Sequence, residues 1–476
     1  MGMSKDPPIP GDLWEQLPPA AQAAVLALAQ HYEQRLASLQ ATIDALQQRL
    51  GQNSTNSSRP PSTDPPSVKR APPRPPSGRR NGGQPGHALH QRPLLPPDHT
   101  LPLRPAACRH CGQALAGDDP QPLRHQVLDV PPFRPTVTEY QLHRLSCPRC
   151  GRRTCATLPD GVPTGGQGPR LHSVVALLTG AYRLSKRQVE SVCADVLGVP
   201  LCAGQVCALE ADAVAATAPV VAELRAHVQG QPANVDETGW WQQGRRAWLW
   251  SVVTRCVTVF VVACSRAAAV AQELIDPSAG QVITTDRYKG YEWLPLYQRQ
   301  ICWAHLRRDF QAMVDRGNAG SALGDELLLF AEDVFTQWYR VRDGTIRRTT
   351  LRKYVDSQRP WFRARLEAGL ACGCAKTAAV CRDLLRLEPA LWTFTRVDGV
   401  EPTNNAVERG FRHPVQWRRS SHGTASAGGS RYVEQILTVV ATCRQQERDV
   451  LGYLTACCQA YLHGDRPPSL LPQGTT

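Results

Sequence analysis

Long apolar runs are absent from this sequence. Its most apolar stretch, Cys256–Cys264, has nine residues, whereas a helix that spans a bilayer needs about 20. The first residues, Met-Gly-Met-Ser-Lys-Asp, are not followed by the apolar segment of a secretory signal. We therefore expect no membrane span, no secretion and a cytoplasmic location.

Acidic residues are also scarce. The 476 residues include 41 Asp and Glu against 54 Lys and Arg, a formal net charge of +13. This excess disfavours a secreted acidic enzyme and favours a polyanionic partner such as nucleic acid, with solubility as the alternative explanation. Lysine is rare among the cations, with six Lys against 48 Arg, a bias that a GC-rich genome would also produce.

Cysteines with metal-site spacing are few, although the chain has seventeen cysteines. An odd number scattered through a large chain without a signal segment indicates reduced thiols. Two CxxC pairs stand out, each followed by a glycine: Cys108 with Cys111, and Cys147 with Cys150. Four thiolates close a tetrahedral site and leave no open position, so the pairs predict structural Zn²⁺. The 35 intervening residues, with the β-like stretch Thr136–Leu145, suit a zinc ribbon with a long hairpin.

The N-terminal segment has one narrow apolar seam. Its members recur in steps of four and three: Val25, Ala29, Tyr32, Leu36, Leu39, Ile43, Leu46 and Leu50. This 3.5-residue period predicts a coiled coil that joins copies of the chain. The alternative is a helix docked on its own domain.

Residues 51–100 contain twelve prolines, five glycines and six serines, with seven Lys and Arg against two Asp. Such a segment cannot bury a core and predicts a disordered basic arm. Its cations could follow a phosphate backbone, or the segment could be a spacer.

Residues 168–228 predict three short helices. The clearest has Ser185 as its N-cap and Gln188 three residues on, the pattern of a capping box. Both a helix-turn-helix that binds DNA and a packing bundle are consistent with this segment.

A strand-rich region follows Pro232. The predicted order is strand, strand, strand, helix, strand, over Ala233–Asp236, Ala247–Val253, Val257–Ala263, Ala267–Ile275 and Gln281–Thr285. This is the order of the first half of a ribonuclease-H-like fold. In that order the first and fourth strands become neighbours.

Two carboxylates would then face one another, Asp236 at the first strand and Asp286 after the fourth. Like charges so close are costly without a shared cation, and hard oxygen ligands favour Mg²⁺ or Mn²⁺. Each Asp alone could instead be a turn residue. A later carboxylate, Glu408, either joins this pair or forms a capping box with Asn405.

Six motifs together give the sequence a family resemblance. They are Val235-Asp-Glu-Thr-Gly239, Thr285-Asp-Arg-Tyr-Lys-Gly-Tyr291, Cys302-Trp-Ala-His-Leu-Arg-Arg308, Asn404-Asn-Ala-Val-Glu-Arg409, Asn53-Ser-Thr-Asn-Ser-Ser-Arg-Pro-Pro-Ser62 and Gly82-Gly-Gln-Pro-Gly-His87. With the paired CxxC knuckles, they resemble the insertion sequence sixty-six family of DDE transposases over nearly the whole chain. The run Arg418–Ser426 differs from the commonest form of that family.

The resemblance implies a multidomain α/β protein, in which a ribonuclease-H-like catalytic core with a helical insertion follows a coiled-coil helix, a disordered basic arm and a zinc ribbon. The expected organisation is a coiled-coil helix at 1–50, a Pro-rich basic linker at 51–100, a zinc-binding DNA-binding module at 101–165, a helical region at 166–230, the first half of the core at 231–300, the helical insertion at 301–395, the second half with the Glu408 helix at 396–455, and a tail at 456–476.

The resemblance also implies the chemistry. Asp236, Asp286 and Glu408 would form the catalytic triad and hold two Mg²⁺ or Mn²⁺ ions, with Asp236 shared between them. The activity would be cleavage at element ends and strand transfer into target DNA, by a homo-oligomer associated with a prokaryotic nucleoid, with companion proteins of the element as further candidate partners. The alternatives are a catalytically inactive or domesticated zinc-dependent DNA-binding protein and a nuclease without strand transfer.

Three further residues are candidate DNA contacts. His305 belongs to a CxxH pair with Cys302, and a buried structural role for both is the competing interpretation. A second zinc is not expected there, because two further ligands are lacking. Arg409 and Arg412 follow Glu408 on its helix and carry paired donors suited to phosphate.

Overall fold

A computed structural model describes residues 10–53, 56–57, 93–276, 278 and 280–472. The described residues form two compact units, one with 10–53, 140–191 and 201–472 and the other with 93–139 and 192–200. The predicted basic arm at 51–100 lies largely outside the described residues, including all seven of its cations. The chain is a mixed α/β protein.

The helices and strands of the described residues have the following bounds. The helices are α1 Gly11–Glu15, α2 Pro19–Leu50, α3 Pro169–Ala176, α4 Lys186–Asp195, α5 Ala203–Gln229, α6 Ala268–Leu274, α7 Trp303–Val314, α8 Ser321–Arg342, α9 Arg348–Leu370, α10 Ala375–Leu391, α11 Asn405–Ser421, α12 Ala427–Gln445 and α13 Val450–His463. The strands are β1 Arg144–Ser146, β2 Arg153–Cys155, β3 Ala233–Gln242, β4 Arg245–Val253, β5 Thr258–Ala263, β6 Ile283–Thr285 and β7 Arg299–Ile301.

The larger sheet has five strands in the order β5-β4-β3-β6-β7. Strands β3, β4 and β5 are antiparallel neighbours, whereas β6 is parallel to both β3 and β7. The predicted adjacency of the first and fourth strands is therefore confirmed. Strand β7 was not predicted, because three residues carry too little alternation to be recognised as a strand.

Alternating side chains of the central strands divide the apolar residues between the two faces of the sheet. In β4, Trp250 joins a core with α5, whereas its neighbour Leu249 joins a core with Val407 and Phe411 of α11. Successive residues of a strand point to opposite faces, so helices cover both. This packing places α11 directly against β3 and β4.

Helix α12 covers the outer edge of β5. Thr442 Oγ1 accepts a hydrogen bond from the backbone N–H of Thr258 at 3.2 Å, and Thr438 Oγ1 accepts from that of Phe260 at 3.0 Å. Glu434 Oε1 accepts from that of Val262 at 2.7 Å. These acceptors are spaced four residues apart on one helix face, so they meet alternate residues of an edge strand that would otherwise present free N–H groups.

Helices α7 to α10 occupy the region where a helical insertion is expected. They bury an aromatic core of their own, in which Trp303 lies 5.0 Å from Trp392 and Phe330 lies 5.2 Å from Phe362 between ring centres. Helix α7 follows β7 directly, so these helices begin at the end of the five-stranded sheet.

Helices α3 to α5 partly match the prediction for 168–228. The capping box is confirmed, because Ser185 N–H donates to Gln188 Oε1 at 2.9 Å and Gln188 N–H donates to Ser185 Oγ at 3.3 Å. The expectation of three short helices is wrong, since α5 has 27 residues. Helix α3 packs against α5 and α13, which supports the packing interpretation; the helix-turn-helix stays a prediction.

Helix α5 also corrects the expectation that no segment could span a membrane. By length and composition, it is the one described helix long and apolar enough to do so. Glu210 and Asp212 interrupt its apolar residues, so the sequence shows no long uninterrupted apolar run there. Leu224 and Val220 of this helix are buried in the core, and core helices of soluble proteins meet the same criteria.

Helix α2 forms where the apolar seam predicts it. The seam is left uncovered within one chain: the exposed fraction of its side chains from Tyr32 to Leu50 runs from 46% at Ile43 to 80% at Leu50. This exposure contradicts the alternative that the helix docks on its own domain.

The secondary structure also differs from the sequence expectation at Thr136–Leu145 and extends into the expected tail. The β-like stretch Thr136–Leu145 is irregular until Arg144, where β1 begins and pairs with β2. Among the described residues, no strand pairs with residues 136–143, so their backbone is not held in a sheet. At the other end, α13 continues to His463, inside the expected tail, because Leu454 and Cys457 are buried against the core.

Candidate functional site

Strand pairing brings the two aspartates to the same level of the sheet. Ala233 pairs with Ile283 and Asn234 with Thr284 in the parallel β3–β6 ladder. The same register carried two residues further aligns Asp236 with Asp286, directly after the end of β6. Asp236 and Asp286 therefore occupy neighbouring positions on adjacent strands, as the sequence predicts.

The backbone around Asp286 is held by hydrogen bonds on both sides. Asp286 Oδ1 accepts from the N–H of Tyr288 at 2.8 Å, and its carbonyl oxygen accepts from Arg299 Nη2 at 2.9 Å. Arg299 also donates to Thr285 Oγ1 at 2.9 Å and is almost wholly buried. Burial lowers the pKa of Arg299 to about 10. These contacts make the position of Asp286 a property of the folded sheet.

Glu408 lies in the first turn of α11 and points toward α7. Its Oε1 is 3.3 Å from Arg308 Nη2 and 3.8 Å from His305 Nδ1. The capping-box interpretation with Asn405 is wrong, because the helix begins at Asn405 and its N-cap, Asn404, makes no side-chain cap. The Glu408 carboxylate is therefore directed to the site.

Neighbouring carboxylates act on the charge of Asp236. Burial, and then the negative charge of Asp286, raise the pKa of the Asp236 carboxyl well above its usual range; the charges of Glu237 and, less strongly, Glu408 add to the same effect. A hydrogen bond from the N–H of Glu237 to Asp236 Oδ1, at 2.9 Å, offsets only part of it. Carboxylates crowded in this way are suited to a divalent cation with hard oxygen ligands.

Glu237, beside Asp236, is a buried carboxylate that the sequence did not single out. Its Oε1 accepts from Arg266 Nε and its Oε2 from Tyr291 Oη, both at 2.6 Å. Burial raises the pKa of Glu237 despite these two partners. Alternation along β3 could have indicated that Glu237 faces the side of the sheet opposite Asp236, but its partners come from other elements.

A cleft of about 300 Å³ opens at Asp286. The residues that line it are Arg266, Asp286, Arg287, Tyr288, His305, Arg308 and Asp309. Arg287 is paired within the protein, with Asp309 and Asp383, both at 2.6 Å. Arg266 and Arg308 are partly exposed and leave donors at the cleft, an arrangement that suits an anionic substrate beside a carboxylate cluster.

His305, Cys302 and Glu408 lie together, with one ligand atom of each within 4.8 Å of the others. The Cys302 thiol accepts the N–H of Asn404 at 3.1 Å, and burial raises its pKa to about 12. The structure thus supports the buried role for Cys302. Three donors remain one short of a closed zinc site.

Arg409 and Arg412 are both exposed on α11. Neither forms an ion pair with any described acidic residue. They are available for phosphate, which is the role that the sequence suggested for them.

The CxxC pairs form two turns with matching hydrogen bonds. In the first, Gly112 N–H donates to the Cys108 carbonyl at 2.9 Å; in the second, Gly151 N–H donates to that of Cys147, also at 2.9 Å. Both glycines have positive φ, 76° and 71°, which the turn requires. Backbone N–H groups lower the pKa of the Cys108 and Cys147 thiols, which fits thiolate ligands of zinc.

Comparison with known families agrees with this site. Residues 165–432, more than half of the chain, match the family described as Transposase IS66 family. The chain belongs to the Transposase IS66 family. Residues 105–151 match the zinc-finger binding domain of transposase IS66, which includes both CxxC pairs and supports structural zinc. Residues 12–93 match a family of unknown function, DUF6444.

One curated relative shares part of the chain. The uncharacterized protein y4qI of Sinorhizobium fredii is 29% identical over 165 residues, which cover 32% of this chain and 29% of the relative. The chain therefore spans less than a third of that relative's length. The match indicates a related sequence and gives no information about the activity of this chain.

Proposed function

We propose that the protein is a DNA transposase that binds the ends of an insertion sequence, cleaves them and transfers the strands to target DNA by a DDE mechanism. The observation that carries this proposal is the alignment of Asp236 and Asp286 on neighbouring parallel strands, with Glu408 in the first turn of the helix that packs against β3. The sheet order β5-β4-β3-β6-β7, with a helix after the last strand, supports a ribonuclease-H-like core. Helices α7 to α10 then form the helical insertion between the second and third carboxylates.

In this proposal, Asp236, Asp286 and Glu408 hold two Mg²⁺ or Mn²⁺ ions. When bound, the ions neutralise the phosphodiester, activate the attacking oxygen and stabilise the leaving oxygen. Water is the nucleophile at the element end, and the freed 3′-OH is the nucleophile on target DNA. No side chain forms a covalent intermediate, so no Ser or Tyr is assigned as a nucleophile.

The surrounding side chains position the triad and the substrate. Arg299 and the N–H of Tyr288 hold Asp286 in place, while Arg308 and His305 face Glu408. Arg266 and Arg308 at the cleft would contact the scissile phosphate. His305 would contact the phosphate or a flanking base, and Arg409 and Arg412 would contact the adjacent backbone.

The remaining regions supply binding and assembly. The zinc module and the basic arm would hold DNA, because both carry an excess of Lys and Arg over acids. The exposed seam of α2 would form a coiled coil between copies, which gives a homo-oligomer. The protein would act in the cytoplasm at the nucleoid, with or without companion proteins of its element.

The test is a strand-transfer assay with purified protein, Mg²⁺ and DNA that carries the inverted repeats flanking the gene. Wild type is expected to give joined products that contain both element and target DNA, and Asp236→Asn is expected to give none. Asp325→Asn, a change to an exposed acid on α8, is the matched control and should retain activity.

Other outcomes would replace the proposal. Cleaved DNA without joined products would indicate a nuclease. Bound but uncut DNA would indicate a catalytically inactive or domesticated DNA-binding protein. Joined products from Asp236→Asn would remove the assignment of the triad.

A further inference from the structure

The β3–β4 hairpin carries an exposed tryptophan beside arginines. The chain reverses at Gln243 and Gly244, whose φ values of 52° and 70° are those of a type I′ turn. Trp241 lies directly across the hairpin from Arg246, so the two side chains share one face. Trp241 is 44% exposed, unlike its neighbour Trp240, which is buried on the other face.

The loop between α11 and α12 holds the hairpin in place. Thr424 N–H donates to the Trp241 carbonyl at 2.9 Å, and Gln243 N–H donates to the Thr424 carbonyl at 2.8 Å. A Cβ added to Gly423 would lie 2.2 Å from the Trp241 carbonyl oxygen, so only glycine permits this approach. The Trp241 side chain is therefore presented from a fixed backbone.

Positive charge accumulates on this face without acidic partners. Arg418 donates to the Gly239 carbonyl and to Thr238 Oγ1, which ties α11 to β3. Its pKa is lowered by burial and then by the charges of Arg419 and Arg246. Within the described residues, no acid forms an ion pair with these three arginines.

The sequence explains why this charge is not compensated. Residues 238–272 and 409–433, which supply the hairpin and the α11–α12 segment, contain no Asp or Glu at all. Like charges held together in a folded protein are destabilising unless they meet an anion. The clustered arginines therefore suit an anionic ligand, just as the clustered carboxylates suit a cation.

Aromatic rings lie among these guanidinium groups. The guanidinium of Arg246 is 5.6 Å from the centre of the Trp248 ring, and the Trp241 ring is open to solvent beside it. Arginines that bind phosphates, next to a ring on which a base can stack, are the elements of a surface for single-stranded nucleic acid. An acidic peptide would use the charge but would leave Trp241 without a role.

The location favours DNA that is engaged at the catalytic carboxylates. Trp241 follows Asp236 by five residues in the same strand, a separation of about 17 Å, and the two side chains point to opposite faces of β3. DNA that reaches both can pass the edge of β3 beyond β6, which pairs only with Ala233 and Asn234. Helix α11 connects the two places, since it begins beside Glu408 and ends with Arg418 and Arg419. Its exposed Arg409, Arg412 and Arg419 recur at helical spacing and extend the basic surface toward the site.

We propose that this hairpin face, formed by Trp241, Arg246, Arg418 and Arg419, binds the DNA strand that becomes unpaired next to the cleavage site. The arginines contact its phosphates, and an unpaired base stacks on Trp241. This inference rests on the proposed function and names a second contact region for the same substrate. It also gives a role to the Arg418–Ser426 run.

The test measures binding of the full-length protein to a fluorescent single-stranded oligonucleotide of mixed sequence and to the matching duplex. Trp241→Ala should weaken single-strand binding roughly tenfold and change duplex binding little, while Trp241→Phe should restore most of it. Arg246→Glu should weaken binding to both and lower the salt slope by about one. Tyr297→Ala and Arg340→Glu, at exposed positions away from the hairpin, are the matched controls and should bind like wild type.

A measurement on the wild-type protein tests the stacking without depending on whether the variants fold. Oligonucleotides with 2-aminopurine at successive positions should lose fluorescence at one position when they bind, because the base stacks on an indole. No loss at any position, or Trp241→Ala binding like wild type, would overturn the stacking. Unchanged binding by Arg246→Glu would overturn the phosphate contacts, and displacement of DNA by an acidic peptide with equal affinity would indicate a protein partner instead.

The two proposals can fail separately. If wild type yields no cleavage or joined products but the hairpin variants lose single-strand binding, the surface stands and the transposase activity falls. If strand transfer occurs and the hairpin variants bind and react like wild type, the activity stands and this surface is excluded.

Discussion

Asn404 Nδ2 donates a hydrogen bond to the backbone carbonyl of Val235 at 2.9 Å. Val235 precedes Asp236 in β3, and Asn404 is the N-cap of α11, whose first turn contains Glu408. One buried contact therefore sets the separation between the strand and the helix that carry two of the three carboxylates. A second and longer bond, from Asn234 Nδ2 to the Thr403 carbonyl at 3.3 Å, runs between the same elements.

We expect Asn404→Ala to reduce both stability and catalysis. Loss of a buried hydrogen bond that leaves a carbonyl unpaired costs about 1–3 kcal/mol of unfolding free energy. Because Glu408 then shifts relative to Asp236, kcat for strand transfer should fall more than KM rises. Asn234→Ala, at the longer bond, should show the same effects more weakly. Equal kcat for Asn404→Ala and wild type would contradict this role.

Asp236→Asn should change the response of the protein to Mg²⁺. The substitution removes a negative charge that is crowded by Asp286 and Glu408, so the unfolding midpoint without divalent cation should rise. Wild type should gain stability as Mg²⁺ is added, because the ion binds only the folded state, and the variant should gain much less. Differential scanning calorimetry with and without Mg²⁺ measures both. Asp325→Asn should behave like wild type in each condition.

Thr438→Val tests how α12 covers the edge of the sheet. Thr438 is buried, and its Oγ1 accepts the N–H of Phe260; valine has the same shape and no acceptor. An unpaired buried N–H should lower the unfolding free energy by about 1–3 kcal/mol. Thr438→Ser keeps the acceptor and should lose less. Chemical denaturation measures both unfolding free energies. If Thr438→Val and Thr438→Ser were equally stable, the hydrogen bond to Phe260 would be excluded as a source of stability.

Leu36→Asp and Leu39→Asp should dissociate the homo-oligomer. Both side chains belong to the exposed seam of α2, and a charge at such a position must be buried in a coiled-coil interface. Sedimentation equilibrium of the full-length protein should show a lower mass for these variants. Gln34→Asp, off the seam on the same helix, should keep the mass of wild type. A monomeric wild type would end the coiled-coil proposal.

Cys147→Ser should release the structural zinc. The substitution removes the first thiolate of the second CxxC pair. The three remaining thiolates hold zinc far less tightly than four. Native mass spectrometry should show one zinc per wild-type chain and none on the variant. Cys155→Ser is the matched control, because Cys155 is an exposed cysteine outside both pairs. Zinc retained by Cys147→Ser would refute the ligand assignment.

Local features of this protein were predictable from the sequence. The capping box at Ser185 and Gln188 and the long helix α2 both depend on residues within a few positions of one another. The β3–β6 adjacency was predictable for a different reason. Few strand orders accommodate three antiparallel strands, a helix and a fourth strand.

Features that failed were those decided by distant partners. The capping role considered for Glu408 depended on where α11 begins, and that boundary is set by Asn404, which is held by Val235 and Cys302 far away in sequence. Strand β7 is three residues long and exists because β6 pairs with it. The length of α5 follows from a core face that persists past Glu210 and Asp212.

By itself, the sequence determined which groups are candidates for chemistry: four cysteines in two pairs, three carboxylates in ordered motifs and two segments free of acid. Residue identity and short spacing suffice for these, since they depend on covalent neighbours. Only the tertiary structure decided that Arg308 and His305 face Glu408, that Thr438 completes the edge of the sheet, and that Trp241 lies exposed among arginines. Such contacts join residues remote in sequence, and packing of the whole fold selects them from many alternatives of similar local energy.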